Sequence, residues 1–297
     1  MNLARLAILS TAISTALLGG NVPLLLVDVN WLSSHLNDRG LVILHVGPKA
    51  DYDAGHISGA RYISLEDIAL PATRKDPAEL TLELPAPEVL RAKFEKFGVS
   101  NDSRIVVYFG AKQAFQSSTR VVFTLDYMGL GGQTWILNGG LPAWTAAGKP
   151  VTAEVPEVAA GAITARPVKN IVADAQLVKT IGQRPNQRLI DARSPNFYKG
   201  VDATYEKKGH IPGAINIPYS ELLDSSLMLD RDRVAKVFAA VGVKPGDTVV
   251  AYCHIGQQAT AVIFAARLLG HPVMLYDGSF QDWAIHSRGP VESDPAR

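Results

Sequence analysis

The 297-residue chain holds one cysteine, and its surroundings suit a nucleophile. Cys253 closes an apolar run, Thr248 to Tyr252, that reads as a buried strand. A short loop, His254-Ile255-Gly256-Gln257-Gln258, separates it from an alanine-rich stretch that reads as a helix. A thiol at that junction points at a helix N-terminus, where unpaired backbone N–H groups and the macrodipole favour an anion. The thiolate is the nucleophilic form, so the placement suits covalent chemistry. The bland alternative is a small core hydrophobe, the common fate of a free cysteine; the loop and helix start weigh against it. Asp191 and Arg193, in Leu189-Ile-Asp-Ala-Arg-Ser, end a second strand. In a parallel sheet they share with Cys253 the carboxyl edge where ligands gather.

These residues need a scaffold of alternating strands and helices. Leu41 to Val46, Ile105 to Phe109 and Thr134 to Leu137 read as strands in the first half, with helices over Ala86–Phe97 and Ser117–Met128. Arg188–Asp191, Thr248–Tyr252 and Pro272–Tyr276 repeat the pattern, with helices over Ala173–Gly182, Asp232–Val241 and Ala259–Leu269. Continuous apolar runs indicate strands covered on both faces, hence α/β domains with mostly parallel sheets flanked by helices.

The halves also repeat one another. His56-Ile-Ser-Gly-Ala returns as His210-Ile-Pro-Gly-Ala, Arg104-Ile-Val-Val-Tyr as Asp247-Thr-Val-Val-Ala, and Leu137-Asn-Gly-Gly with Trp144 as Tyr276-Asp-Gly-Ser with Trp283. Matched landmarks in the same order imply two copies of one domain. The divisions are residues 22–149 and 169–297, joined by a Pro- and Gly-punctuated linker over 150–168. On this alignment His45 stands at the place of Asp191, Gly47 at Arg193 and Gly110 at Cys253, with the first loop about two residues longer. The first copy lacks the thiol, carboxylate and guanidinium together, so its expected role is to cover the second.

Composition narrows the function. A formal net charge of +1 gives no reason to expect nucleic acid as a partner. One cysteine excludes an intramolecular disulfide and, with scattered histidines, supplies no zinc spacing. Arg5 followed by an uncharged apolar stretch, Leu6 to Leu18, reads as a signal peptide over 1–20, too short to span a bilayer. The expectation is export to the periplasm or medium, with no stable membrane anchor; a cytoplasmic protein with an uncleaved extension is the alternative.

Asp191-Ala-Arg-Ser, Gly209-His-Ile-Pro-Gly-Ala, the Cys253-x-x-Gly loop and Tyr276-Asp-Gly-Ser-Phe-Gln-Asp-Trp together resemble a tandem-domain rhodanese, over nearly the whole chain from Val22. The resemblance implies a sulfurtransferase with a catalytic second domain, a degenerate first one, and a site facing the cleft between them. Thiosulfate would donate sulfur to Cys253, giving a persulfide that a thiophile such as cyanide then discharges. Backbone N–H groups from His254 to Gln258 would hold the sulfur anion, and Gly256 would allow the loop to curl. Arg193 would grip the anionic donor, oriented by Asp191. His254, Gly256, Gln257 and Gln258 complete the substrate-binding set, with His254 as a possible cation.

Mercaptopyruvate enzymes of this family carry a second arginine shortly after the first; Phe197-Tyr198 stand there instead, which inclines the reading to thiosulfate with mercaptopyruvate as the alternative. A persulfide carrier for a protein partner is a further reading. A phosphatase of related fold would need an arginine near Gln258-Ala259, where the residues are neutral. His56, His210, Trp144 and Trp283 occur in both copies, which favours structural roles. The partners expected are a small-molecule sulfur donor and acceptor, acting on a monomer with neither metal nor cofactor.

Overall fold

The computed structural model describes residues 25–71, 76, 78–111 and 114–293. The stretch 1–20, read as an export signal, lies outside them. The first half contains β1 (Leu26–Val27), α1 (Val29–His35), β2 (Leu41–Val46), α2 (Lys49–Ala54), β3 (Ala60–Ile63), α3 (Pro87–Lys96), β4 (Arg104–Phe109), α4 (Phe115–Tyr127), β5 (Thr134–Leu137) and α5 (Gly140–Ala146). The second half repeats it with β6 (Val172–Ala173), α6 (Ala175–Thr180), β7 (Gln187–Asp191), α7 (Pro195–Lys199), β8 (Ile215–Asn216), α8 (Arg231–Ala240), β9 (Thr248–Tyr252), α9 (Gln258–Leu268), β10 (Val273–Tyr276) and α10 (Ser279–Ile285).

Each half forms a five-stranded sheet, in the orders β1-β5-β4-β2-β3 and β6-β10-β9-β7-β8. All pairings within both are parallel. The central strands β4 and β9 are buried on both faces, as their unbroken apolar runs require. Asp28, Asp174 and Asp230 start α1, α6 and α8, each side chain accepting a first-turn N–H at 2.7–2.8 Å. The shortest strands, β1, β6 and β8, have two residues each and leave no periodic signal in the sequence.

Strand register corrects the alignment of the two copies. His45 pairs with Tyr108 and Asp191 with Tyr252. Each tyrosine hydroxyl accepts a backbone N–H, from Ile57 at 3.1 Å and from Ile211 at 3.0 Å. The residue after each tyrosine is therefore equivalent, so Phe109, not Gly110, occupies the place of Cys253. His45 and Gly47 do stand opposite Asp191 and Arg193. The strand runs Ile105-Val-Val and Val249-Val-Ala are too alike to fix a one-residue slip without their hydrogen-bonded neighbours.

Helix α9 is apolar over most of its surface because its own sheet covers one face and α4 the other. The two helices meet about a local two-fold. Gly129 and Gly270, both at positive φ, end them in equivalent ways; counting back from these, Thr119 matches Thr260 and Asp126 matches Arg267. Each residue touches its own counterpart: the threonine hydroxyls lie 2.9 Å apart and Arg267 Nη1 is 2.9 Å from Asp126 Oδ2. A single apolar core, including Val121, Val122, Ile263 and Phe264, runs through both halves. With this helix register, ten positions separate Phe109 from Thr119 and seven separate Cys253 from Thr260. The first loop is thus longer by three residues, not two. Within the linker, Thr152 pairs with His56, Gly161 N–H reaches Glu95 O at 2.8 Å and Val168 N–H reaches Tyr127 O at 2.8 Å, so this segment runs along the first domain.

Candidate active site

Cys253 follows β9 directly, its N–H donating to Ser279 Oγ at 3.1 Å and its carbonyl accepting from Phe280 N at 3.0 Å. Ser279 holds a positive φ of 53°, strained for a residue with a side chain, and its hydroxyl also donates to Tyr276 O at 2.8 Å. That strain sits at the residue that fixes the cysteine backbone. The backbone N–H groups of His254, Ile255, Gly256, Gln257 and Gln258 donate to no described residue. Five unspent donors at the start of an eleven-residue helix make a cradle suited to an anion.

Gly256 makes the curl possible. Its φ is +77°, and a Cβ there would lie 2.7 Å from Asp277 O and 3.0 Å from Arg120 Nη1. Any side chain meets both backbone strain and a collision.

Asp191 and Arg193 lie on the neighbouring strand end, both buried. Asp191 Oδ1 accepts from Arg193 N and Nε at 2.9 and 3.0 Å; Oδ2 accepts from Nη2 at 2.5 Å and Tyr252 OH at 2.8 Å. Arg193 Nη2 also donates to Gly209 O at 2.7 Å, and the guanidinium stacks 4.0 Å above the Phe280 ring. Burial alone would lower the guanidinium's pKa; the Asp191 hydrogen bonds and charge, helped by Tyr252 and Cys253, carry it above its ordinary value. The carboxylate is thus occupied in aiming Arg193. Nη1 alone makes no hydrogen bond to a described residue.

The remaining loop side chains differ from the sequence expectation. Burial, and then the charge of Arg193, push His254 down to about 4, so at neutral pH it is a neutral imidazole and not a cation. Its ring packs edge-on against Phe197 at 4.5 Å, with Nδ1 3.3 Å from Thr204 Oγ1. Gln257 Nε2 donates to Ser117 Oγ of the first domain at 2.8 Å, and Gln258 Oε1 is buried without a partner among the described residues.

Cys253 has no exposed surface. A donor can reach it only if the covering groups yield. The exposed Thr204, in contact with His254, and the half-buried Tyr205 lie near it. Tyr205 is pushed up to about 12, by burial first and then by the charge of Cys253. Between the domains, a cavity of about 690 Å³ is lined by Leu65, Leu70, Thr81 and Leu82 from the first and by Ile255 and Gln257 from the loop.

The repeated histidines are structural. His56 stacks on Tyr52 at 3.8 Å with Nδ1 bonded to Tyr52 O; His210 stacks on Tyr198 at 3.8 Å with Nδ1 bonded to Tyr198 O. Trp144 and Trp283 are buried, their indoles donating to Pro150 O and Pro290 O. Sequence reasoning missed Tyr252, Ser279, Phe280 and Tyr205. The repeated Gly140/Ser279 position was the available signal, since Gly140 shares the positive φ.

The rhodanese-like domain family matches residues 28–147 and again 174–286. The chain belongs to this family. It is 32% identical over 249 residues to a Pseudomonas aeruginosa protein named a probable 3-mercaptopyruvate sulfurtransferase, covering 81% of this chain and 85% of that one. It is 29% identical over 270 residues to a thiosulfate sulfurtransferase of the same organism, covering 90% and 97%. Among solved structures, the 3-mercaptopyruvate sulfotransferase SseA of Escherichia coli superposes with a TM-score of 0.75 at 27% identity, covering 86% of this chain and 98% of that one. This rhodanese-family chain has its matched domains centred on the two sheets described above.

Proposed function

We propose that this protein is a sulfurtransferase that takes sulfane sulfur from thiosulfate onto Cys253 and passes it to a thiophile. Both named relatives and the solved neighbour are sulfurtransferases, and the five unspent N–H groups after Cys253 are the observation that carries the reading. Cys253 thiolate attacks the outer sulfur of thiosulfate; the sulfur–sulfur bond breaks and sulfite leaves with its electron pair. The persulfide's terminal sulfur then lies among the N–H groups of His254 to Gln258, whose preorganised dipoles stabilise the anion without reorganising. Arg193 Nη1 is the group best placed to steer an anionic donor, because Asp191 and Gly209 fix the rest of the guanidinium. Attack by cyanide or a thiolate on the terminal sulfur regenerates the Cys253 thiolate.

Thiosulfate is favoured because no second cation stands beside Arg193 among the described residues. Phe197 packs on His254, Tyr198 stacks on His210, and His254 is neutral. The mercaptopyruvate reading is favoured by the relative at 32% identity. Cyanide-dependent thiocyanate formation, with thiosulfate and mercaptopyruvate compared as donors, separates them. Turnover with thiosulfate that vanishes in Cys253→Ser supports the proposal. Turnover with mercaptopyruvate alone moves the donor, and persulfidation of Cys253 without turnover leaves a sulfur carrier.

A further inference from the structure

The local two-fold between the domains is broken on the side of the cysteine loop. Arg120, on α4, is buried and reaches across the interface. Its Nη1 donates to Asp277 Oδ1 at 2.6 Å and to Gly256 O at 3.3 Å, while Nη2 donates to Leu82 O at 2.6 Å. The helix register that matches Thr119 with Thr260 matches Arg120 with Ala261. Asp277 follows β10 as Asn138 follows β5, and the two make mirrored contacts: Leu84 N–H to Asp277 Oδ2 at 2.8 Å, and Leu229 N–H to Asn138 Oδ1 at 2.8 Å. Leu82 and Leu227 share a positive φ, so Glu83 answers to Met228. The side facing Cys253 thus carries arginine, aspartate and glutamate where the side facing Phe109 carries alanine, asparagine and methionine.

An interface held by shape alone would not need this asymmetry. A buried arginine is costly, and an ion pair in place of neutral packing is often no gain in stability. What Arg120 touches supplies a reason. The Gly256–Gln257 peptide is trans and planar, so turning its carbonyl toward Arg120 turns the Gln257 N–H the opposite way, away from Arg120.

The geometry points to Arg120 of the first domain as a positioning residue for the cysteine loop: anchored by Asp277 and Leu82, it holds the Gly256 carbonyl outward so that the loop's N–H groups converge on the Cys253 sulfur. The first domain therefore completes the anion cradle of the second as well as covering it. This rests on Cys253 being the nucleophile of the proposed reaction.

Cys253 is the sole cysteine, so alkylation by iodoacetamide reports on it alone in the full chain. Arg120→Lys keeps the positive charge but has no planar fork to hold Asp277, Leu82 and Gly256 at once. We expect it to melt cooperatively, to react about tenfold more slowly at pH 7, and to shift the pH of half-maximal alkylation upward by about one unit. The mirror change Asn138→Asp should leave that profile in place. A folded Arg120→Lys with the wild-type profile, or an equal shift in Asn138→Asp, overturns the proposal. If Arg120→Lys does not fold, Asp277→Asn takes its place; it should shift the profile in the same direction by less, and an unchanged profile again overturns the proposal. Alkylation needs no sulfur donor, so failure of the sulfur-transfer reading shows separately, as absent thiocyanate formation by the wild-type protein while Arg120→Lys still shifts the alkylation profile.

Discussion

At the carboxyl edge of the first sheet, His45, Gly47 and Phe109 stand where the second sheet carries Asp191, Arg193 and Cys253. The frame around them is the same. Both copies have one strand order, a tyrosine hydroxyl bonded to a backbone N–H, a histidine stacked on a tyrosine, and a tryptophan indole bonded to a proline carbonyl. His45 Nδ1 even keeps a 3.0 Å contact with Tyr108 OH where Asp191 meets Tyr252 OH, yet its Nε2 is buried with no partner among the described residues. Burial, and next the nearby His56, push His45 down to about 4, so a neutral ring fills the space of an ion pair. The difference teaches that one fold accommodates either set, and that the groups proposed for the chemistry are present or absent together.

The comparison breaks most sharply at the nucleophile. Cys253→Ser should lower thiocyanate formation by at least about 10³-fold, whereas Phe109→Ala should leave it within about threefold. Asp191→Ala would strand Arg193 in the core and cost about 3–5 kcal/mol in urea denaturation; His45→Ala, which removes no charge partner, should cost clearly less. Gly256→Ala forces a side chain onto Asp277 O and should reduce kcat by about 10²-fold, with a smaller change in KM.

Glu83 sharpens the comparison through pH. Burial first, and then the charge of Asp277, raise it to about 8 against the pull of Arg120. A carboxyl whose pKa is higher folded than unfolded binds more protons in the native state. It therefore weakens the fold as pH rises from about 4.5 to 8, and imposes no penalty below that window. Glu83→Gln should be more stable than wild type at pH 8 by about 1–3 kcal/mol and equal to it near pH 4. A urea titration at the two pH values checks the sign; an advantage confined to low pH would refute it. The smallest effect concerns transplantation. In a Cys253→Ser background, Phe109→Cys with Gly140→Ser should restore less than about 1% of activity, because Gly47 offers no guanidinium and the loop is three residues longer.

Much of this was legible in the sequence. Long apolar runs and repeated landmarks define two parallel α/β domains, because burial on both faces leaves no other pattern. Cys253 and the Asp191–Arg193 pair were legible because strand ends and loop starts announce themselves. The exact equivalence of Phe109 to Cys253 was not, since Ile-Val-Val and Val-Val-Ala slide past one another until Tyr108 and Tyr252 are tied to Ile57 and Ile211. The neutrality of His254 was hidden too: it follows from burial against Phe197 and the proximity of Arg193, both set by tertiary contacts. Arg120 reads in sequence as one more polar residue on an amphipathic helix. Only its approach to Gly256 and the absence of a counterpart at Ala261 set it apart.

The Thr119–Thr260 contact has a consequence for what such a pair of domains can encode. In a homodimer every substitution appears twice, once at each mouth of the interface, so a buried arginine added to one active site must also be buried at the other. A single polypeptide carrying both copies escapes that doubling. Covalent fusion lets one mouth specialise while the other keeps plain packing, so that the buried arginine stands on the cysteine-loop side alone.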